Sequence, residues 1–174
     1  MNKKALWITT VAVALVACMI FGACTVGGIK VKTMCDAASF RDGNTAEYNV
    51  EMSVVLVDGD KSQEVCAYRD GQWSDPYGFG FAKPDFVSDG GTALDFQESQ
   101  LSDAQFSANE EQGITSMTAK ITDTQSLLGV ANASDATVEI VIGTTDKSLR
   151  SMEIAYTVRG TYTLRVLIRS ELAA

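Results

Sequence analysis

Three stretches near the C-terminus decide the fold: Thr137-Val138-Glu139-Ile140-Val141-Ile142, Leu149-Arg150-Ser151-Met152-Glu153-Ile154-Ala155-Tyr156-Thr157-Val158, and Tyr162-Thr163-Leu164-Arg165-Val166-Leu167-Ile168. Successive side chains of a strand point to opposite faces, so apolar residues at every second place mark a half-buried strand. Val138, Ile140 and Ile142 form one such set. Met152, Ile154, Tyr156 and Val158 form the next, and Tyr162, Leu164, Val166 and Ile168 the last. Residues 144–147 and Arg159-Gly160 are connections short enough for antiparallel neighbours. A meander with one apolar face must cover that face with helices, loops or a second sheet.

The same pattern recurs upstream. Tyr48, Val50, Met52, Val54 and Leu56 alternate with Glu47, Asn49, Glu51 and Ser53, and Asp58-Gly59-Asp60 supplies hairpin-turn chemistry. Ser62 to Tyr68 reads as the return strand, Asp70-Gly71 as a second turn, and Gln72 to Ser74 as the start of a third strand. Ile114 to Thr122 is another strand. Asp123 to Val130 predicts a short helix, capped by Asp123 or Thr124, with Leu127 and Leu128 facing inward. Ala131 to Ala136 reads as a loop, and Met34 to Phe40 holds one or two helical turns. Asp75 to Gln100, with both prolines and four glycines, reads as irregular.

The N-terminus has a different character. Met1-Asn2-Lys3-Lys4 is a short basic start, and an apolar run from Ala5 to Ala23 follows, ending in Phe21-Gly22-Ala23-Cys24. A charged start, an apolar middle and a small-residue stop make a secretory signal. The cysteine after Gly-Ala resembles the lipobox of bacterial lipoproteins. There the thiol takes a diacylglycerol, whose two chains suffice for stable anchoring. Leu15-Val16-Ala17-Cys18 is a second lipobox-like stretch, but Met19-Ile20-Phe21 follows it where small polar residues are usual. Cleavage before Cys24 also leaves an even pair of thiols, Cys35 and Cys66. An uncleaved membrane-spanning helix stands as the alternative, since about 20 apolar residues cross a bilayer. Lys3 and Lys4 would then stay inside. A freely secreted product ranks after both. The expected organisation is a signal peptide or membrane anchor over 1–23, a lipidation site, linker and short helical segment over 24–44, and an extracytoplasmic antiparallel β domain over 45–174. The expected location is the outer face of the cell membrane.

Composition excludes several functions. Without Lys3 and Lys4 the chain holds 12 basic and 22 acidic residues, a net charge of −10. Such a surface repels nucleic acid and anionic headgroups. Histidine is missing altogether, which removes the commonest general base and metal ligand. No Gly-x-Ser-x-Gly or Ser-x-x-Lys arrangement sets a nucleophile beside a base. The chain reads as a non-enzyme without cofactor or metal.

Two constellations remain. Cys35 and Cys66 lie on the oxidising side of the expected membrane topology, so a disulfide between them is permitted. It would contribute about 3–4 kcal/mol by the chain-entropy estimate. Two buried free thiols are the alternative. Trp73, Tyr77, Phe79 and Phe81 gather around Gly78 and Gly80. They form either an aromatic lid over an apolar ligand or part of an ordinary core.

The order of the last third is recognisable. It runs Ile114-Thr115-Ser116-Met117-Thr118-Ala119-Lys120-Ile121, then Asp123-Thr124-Gln125-Ser126-Leu127-Leu128, then a loop, Val138 to Ile142, Asp146-Lys147-Ser148-Leu149, and Met152 to Tyr156. A strand, a short Leu-Leu helix and further strands in this order resemble the LolA/LppX/LprG-type lipoproteins. The resemblance covers residues 45 to 168 in pattern, and the lipobox-like start accords with it. Family members usually open with a longer amphipathic helix than Met34 to Phe40 provides. The resemblance implies a mainly β (α+β) fold, a curved antiparallel sheet or half-barrel with one or two short helices on its concave face. It also implies a lipid-like ligand held between sheet and helices, for which the residue pattern offers Trp73, Tyr77, Phe79, Phe81, Leu127, Leu128 and Tyr156 as lining. A non-enzymatic module binding an envelope protein or the cell wall is the alternative.

Lipidation has a direct test. Metabolic labelling with a radioactive fatty acid should mark the wild type and Cys18→Ser, and leave Cys24→Ser unmarked. Label that survives in Cys24→Ser and vanishes in Cys18→Ser would move the site to Cys18. An unlabelled wild type would leave the membrane-spanning anchor.

Overall fold

The computed structural model describes residues 28–40, 48–58, 61–81, 94–130 and 132–170. The expected signal segment, Cys18, Cys24, the Gly59-Asp60 turn tip, Pro84 and Phe86 lie outside them. Helix α1 spans Val31–Ala38 and α2 Thr124–Leu128. The strands are β1 Tyr48–Asp58, β2 Lys61–Arg69, β3 Gln72–Ser74, β4 Leu101–Asn109, β5 Ile114–Ile121, β6 Ser134–Gly143, β7 Leu149–Val158 and β8 Tyr162–Ser170. All eight form one antiparallel sheet in the order β3-β2-β1-β8-β7-β6-β5-β4, which does not close. The fold is mainly β. Among the described residues, no helix is long and apolar enough to cross a membrane.

Register turns the alternation into rows across the sheet. Met52, Val166, Ile154 and Val138 stand opposite one another from β1 to β6. Val50, Ile168, Met152, Ile140, Met117 and Phe106 make the neighbouring row from β1 to β4. Such cross-strand pairs are the unit of sheet stabilisation. The face they form is buried. The opposite face carries Glu51, Glu139, Glu153, Arg165 and Arg169.

Four register irregularities interrupt the sheet. Val54 pairs with Cys66 and Val55 with Glu64, so Val65 is an extra residue on β2. That insertion lets Val65, Cys66 and Ala67 all be buried in succession, which a regular strand forbids. Arg150 is the extra residue on β7, and it brings Leu149 onto the buried face out of phase with Met152. The other two bulges fall at Asp103 in β4 and Asp135 in β6, both with positive φ.

Strand β4 has no counterpart in the alternation pattern. Its bulge breaks the two-residue period after Ser102. As an edge strand it buries none of its residues fully. Strand β6 begins at Ser134, inside the stretch expected to be a loop. Helix α1 starts at Val31, ahead of the expected Met34.

The buried face is covered by short pieces. Helix α1 packs on β6 and β7 and sinks Met34, Cys35 and Ala38 into the core beside Ile29. Ser39 ends it, donating its hydroxyl to the Cys35 carbonyl (2.8 Å) and accepting the Phe96 N–H (3.0 Å). Phe40 and Leu94 then exchange two backbone hydrogen bonds. In α2, Asp123 accepts the Ser126 N–H at 2.9 Å, and Gly129 closes the helix at φ 67°. Its N–H returns to the last turn, as left-handed caps do. Leu127 and Leu128 are buried, as expected.

The β6–β7 connection is built around one carboxylate. Asp146 accepts hydrogen bonds from the Ser148 N–H (3.1 Å), the Ser148 hydroxyl (2.8 Å) and Arg150 (2.7 Å). A Cβ on Gly143 would collide with that carboxylate. Gly143→Ala should therefore cost about 1–2 kcal/mol, the worth of one or two hydrogen bonds lost as Asp146 is pushed aside. In the Asp146→Ala background the same substitution should cost little. Equal costs in both backgrounds, read from denaturant melts, would refute this account.

Candidate functional site

Asp75 follows β3 and folds the next six residues around its own carboxylate. Its Oδ1 accepts the Phe79 N–H at 2.9 Å and its Oδ2 the Gly80 N–H at 2.8 Å, while its carbonyl accepts the Gly78 N–H at 3.2 Å. Gly78 and Gly80 sit at φ 67° and 68°, a conformation that costs glycine little and other residues more. The strap so formed points Tyr77 outward, where it is 61% exposed, half-buries Phe79 and buries Phe81.

Two neighbours from β8 and the β7–β8 turn, three and four strands along the sheet from β3, complete the cluster. The Tyr162 ring of β8 lies 5.1 Å from Phe81 and 5.7 Å from Phe79, centroid to centroid. Phe79 also meets Phe81 at 6.4 Å and Tyr77 at 6.0 Å. Such ring pairs add about 0.5–1.5 kcal/mol beyond burial. Arg159 opens the three-residue turn between β7 and β8, Arg159-Gly160-Thr161. It and Gly160 both have positive φ, 50° and 73°, the twist that tight hairpins require. Its guanidinium donates to the Phe79 carbonyl at 3.0 Å and to the Gly80 carbonyl at 3.5 Å, and lies 4.3 Å from the Phe81 ring centre. The strap is thus gripped at its amides by Asp75 and at its carbonyls by Arg159.

Cys66 sits beneath. Its thiol donates to the Asp75 carboxylate, and burial, that bond and the carboxylate charge push its pKa up to about 11. Asp75 itself is held below the usual carboxylate range, chiefly by the Gly80 N–H and then the Phe79 N–H. Cys35 is also pushed up to about 11, by burial first and then by the Glu98 and Asp36 charges. The two cysteines are free and buried, one on α1 and one on β2. The permitted Cys35–Cys66 bridge is not what the structure contains. Their burial as thiols is.

The remaining candidates distribute over one core. Trp73 stands opposite Tyr68 and packs half-buried against it. Tyr156 is buried on β7, and burial raises its hydroxyl above the usual tyrosine range. Leu127 and Leu128 belong to the same buried cluster as Phe81 and Tyr156. Asp75, Arg159 and Tyr162 were not singled out by sequence. Arg159-Gly160 signals a turn, and nothing in it announces carbonyls about eighty residues away. Among the described residues, no group of three or more histidines, cysteines or acids could hold a metal.

Comparison with family models, curated proteins and solved structures finds no match to this chain.

The Asp75 grip has a pH signature. Because its folded pKa is depressed, its contribution is complete above the unfolded value of 3.8 and is lost as pH falls through the lower folded value. Exchange protection of the Phe79 and Gly80 amides, corrected for intrinsic rates, should hold at about pH 5 and fall towards about pH 2. Asp75→Ala should be poorly protected at both. Protection independent of pH in the wild type would show that Asp75 does not hold the strap.

Proposed function

We propose that the chain is a membrane-tethered extracytoplasmic lipoprotein whose β domain binds an apolar or amphipathic ligand without covalent chemistry. The ligand would lie between the apolar sheet face and its cover, held at about 25 cal/mol per Å² of apolar surface removed from water. Lipidation at Cys24 supplies the tether, and the membership proposed is that of the LolA/LppX/LprG-type lipoproteins.

One observation carries this proposal. The sheet and its cover meet through methionine. Met34 of α1, Met52 of β1, Met117 of β5 and Met152 of β7 are each at most 1% exposed. They are four of the six methionines in the chain, and the other two, Met1 and Met19, fall in the signal segment. Methionine is unbranched and polarisable, so it fills irregular gaps and repacks around different guests. A core built only for rigidity favours Leu, Ile and Val with fixed rotamers. The make-up of the cover points the same way. An eight-residue helix, a five-residue helix and short straps lie where a second sheet would otherwise lie. The four bulges supply the bends that a curved, half-barrel sheet needs, and α1 would then occupy its concave side.

The test reads those methionines. Full-length protein carrying ¹³C-methyl methionine, in a neutral maltoside micelle, would be titrated with oleyl alcohol. The methyl signals of Met34, Met52, Met117 and Met152 should shift together, and the melting temperature should rise. At a hundredfold excess over Kd the stabilisation is about 2.7 kcal/mol. Four unmoved signals and an unchanged melting temperature would sink the carrier and favour an envelope interaction module.

A further inference from the structure

We propose that the ligand is a long single-tailed amphiphile with an anionic headgroup, and that Arg159 is the residue that binds the headgroup. The inference rests on the binding function above and specifies its ligand.

Arginine pairing sets Arg159 apart. Arg69 meets Glu64 at 2.6 Å, Arg150 meets Asp146 at 2.7 Å, Arg165 meets Glu153 at 3.8 Å and Arg169 meets Glu51 at 3.9 Å. Among the described residues, Arg159 is the one arginine without a carboxylate partner. This holds in a chain with 22 acidic residues against 14 basic ones. The nearest acid of the strap, Asp75, spends its oxygens on the Phe79 and Gly80 amides and the Cys66 thiol. Arg159 is left with two neutral carbonyls and the face of Phe81.

That arrangement suits exchange. Hydrogen bonds to an ionised acceptor are roughly twice as strong as those between neutral groups, and the planar guanidinium engages a carboxylate or phosphate with two parallel N–H bonds. A headgroup anion would therefore displace the Phe79 and Gly80 carbonyls, which water can satisfy because Gly80 is exposed and Phe79 half-exposed. The aromatic face of Phe81 stays as the guanidinium's support. Headgroup capture at Arg159 thus releases one of the strap's two grips, and Asp75 keeps the other. Recognition and opening become one step.

The sheet register supplies the tail's path. Arg159 stands at the end of a two-strand apolar ladder. Val158 pairs with Tyr162, Tyr156 with Leu164, Ile154 with Val166 and Met152 with Ile168. From Val158 to Met152 the ladder runs about 20 Å at the usual strand rise, which is the reach of a long acyl chain. It ends at one of the methionines that can move aside.

Native mass spectrometry of the full-length protein from neutral maltoside micelles would test this, with oleate, oleyl alcohol and acetate as probes. Wild type should retain oleate at least about tenfold better than oleyl alcohol, a difference of about 1.4 kcal/mol, and should not retain acetate. Arg159→Met should bind oleate and oleyl alcohol equally. Arg159→Lys, which keeps the charge and loses the planar fork, should retain an intermediate preference, so a loss in Arg159→Met alone is not mistaken for misfolding. Oleate and oleyl alcohol bound equally by wild type, or an oleate preference unchanged in Arg159→Met, would overturn the headgroup role and leave the binding function standing. Acetate retained as well as oleate would overturn the tail assignment. Neither amphiphile bound by wild type would overturn the binding function itself.

Discussion

An eight-stranded antiparallel sheet that does not close has one apolar face too large to leave in water, and everything else in this domain answers to that. A second sheet would cover it in one layer, but the chain supplies only short pieces. Each is fastened by a few polar contacts at its ends. Ser39 and the Phe40–Leu94 bridge tie down α1, Asp123 and Gly129 bound α2, and Asp75 with Arg159 hold the aromatic strap. Burial provides the attraction, and these contacts decide where each piece sits. A cover made this way opens locally at far lower cost than a packed sheet does, because each piece has few partners to lose.

How much of this was legible in the sequence follows from what generates each feature. Strands β5, β7 and β8 were readable nearly to the residue, because along most of each strand buried residues alternate with exposed or half-exposed ones. Helix α2 was readable because capping is local chemistry, an acid three residues before an amide. Strand β4 was not, since its bulge at Asp103 shifts the phase and its edge position removes the need for apolar residues. The start of α1 was obscured for another reason. No side chain caps it at Lys30, and its apolar face is recognisable only against the β6 and β7 residues it covers. The strap's aromatic residues stood out by composition, whereas its two clamps did not. Asp75 acts on amides four and five residues on, and Arg159 acts on carbonyls across the fold. Residue types reveal a bond to backbone where it follows a recurrent local pattern, as at the Asp123 cap, and not where it crosses the fold, as from Arg159.

The two faces of the sheet divide the electrostatics. The outer face pairs Arg165 with Glu153 and Arg169 with Glu51 at 3.8 and 3.9 Å, geometry that contributes little in water. Glu139 stands directly opposite Glu153, an arrangement that costs a few tenths of a kcal/mol to about 1 kcal/mol and contributes to a solvated acidic surface. Among the described residues, no fully buried side chain of the covered face is ionised. Its polar atoms are the Thr115 hydroxyl, bonded to Thr144 at 3.0 Å, the Tyr156 hydroxyl and two thiols. Burial pushes both thiols up to about 11, which disfavours the thiolate at neutral pH. What holds this face closed is chiefly burial.

Burial raises a conflict that residue choice resolves. A face that binds a guest must be filled when the guest is absent, or the domain would carry a cavity at about 24 cal/mol per Å³. It must also yield when the guest arrives. β-Branched residues cannot do both, because χ1 is stiff. Here Ile140, Ile154, Val138, Val166 and Ile168 occupy the middle of the sheet, on β6, β7 and β8, where rigidity preserves the register. Methionine stands on β1, on β5, on α1, and on β7 between Ile168 and Ile140. The same sequence position that looks like one more apolar residue in the alternation is therefore set apart by its side-chain freedom. If the proposed binding holds, the methionines set among these branched residues are the side chains that would yield to a guest.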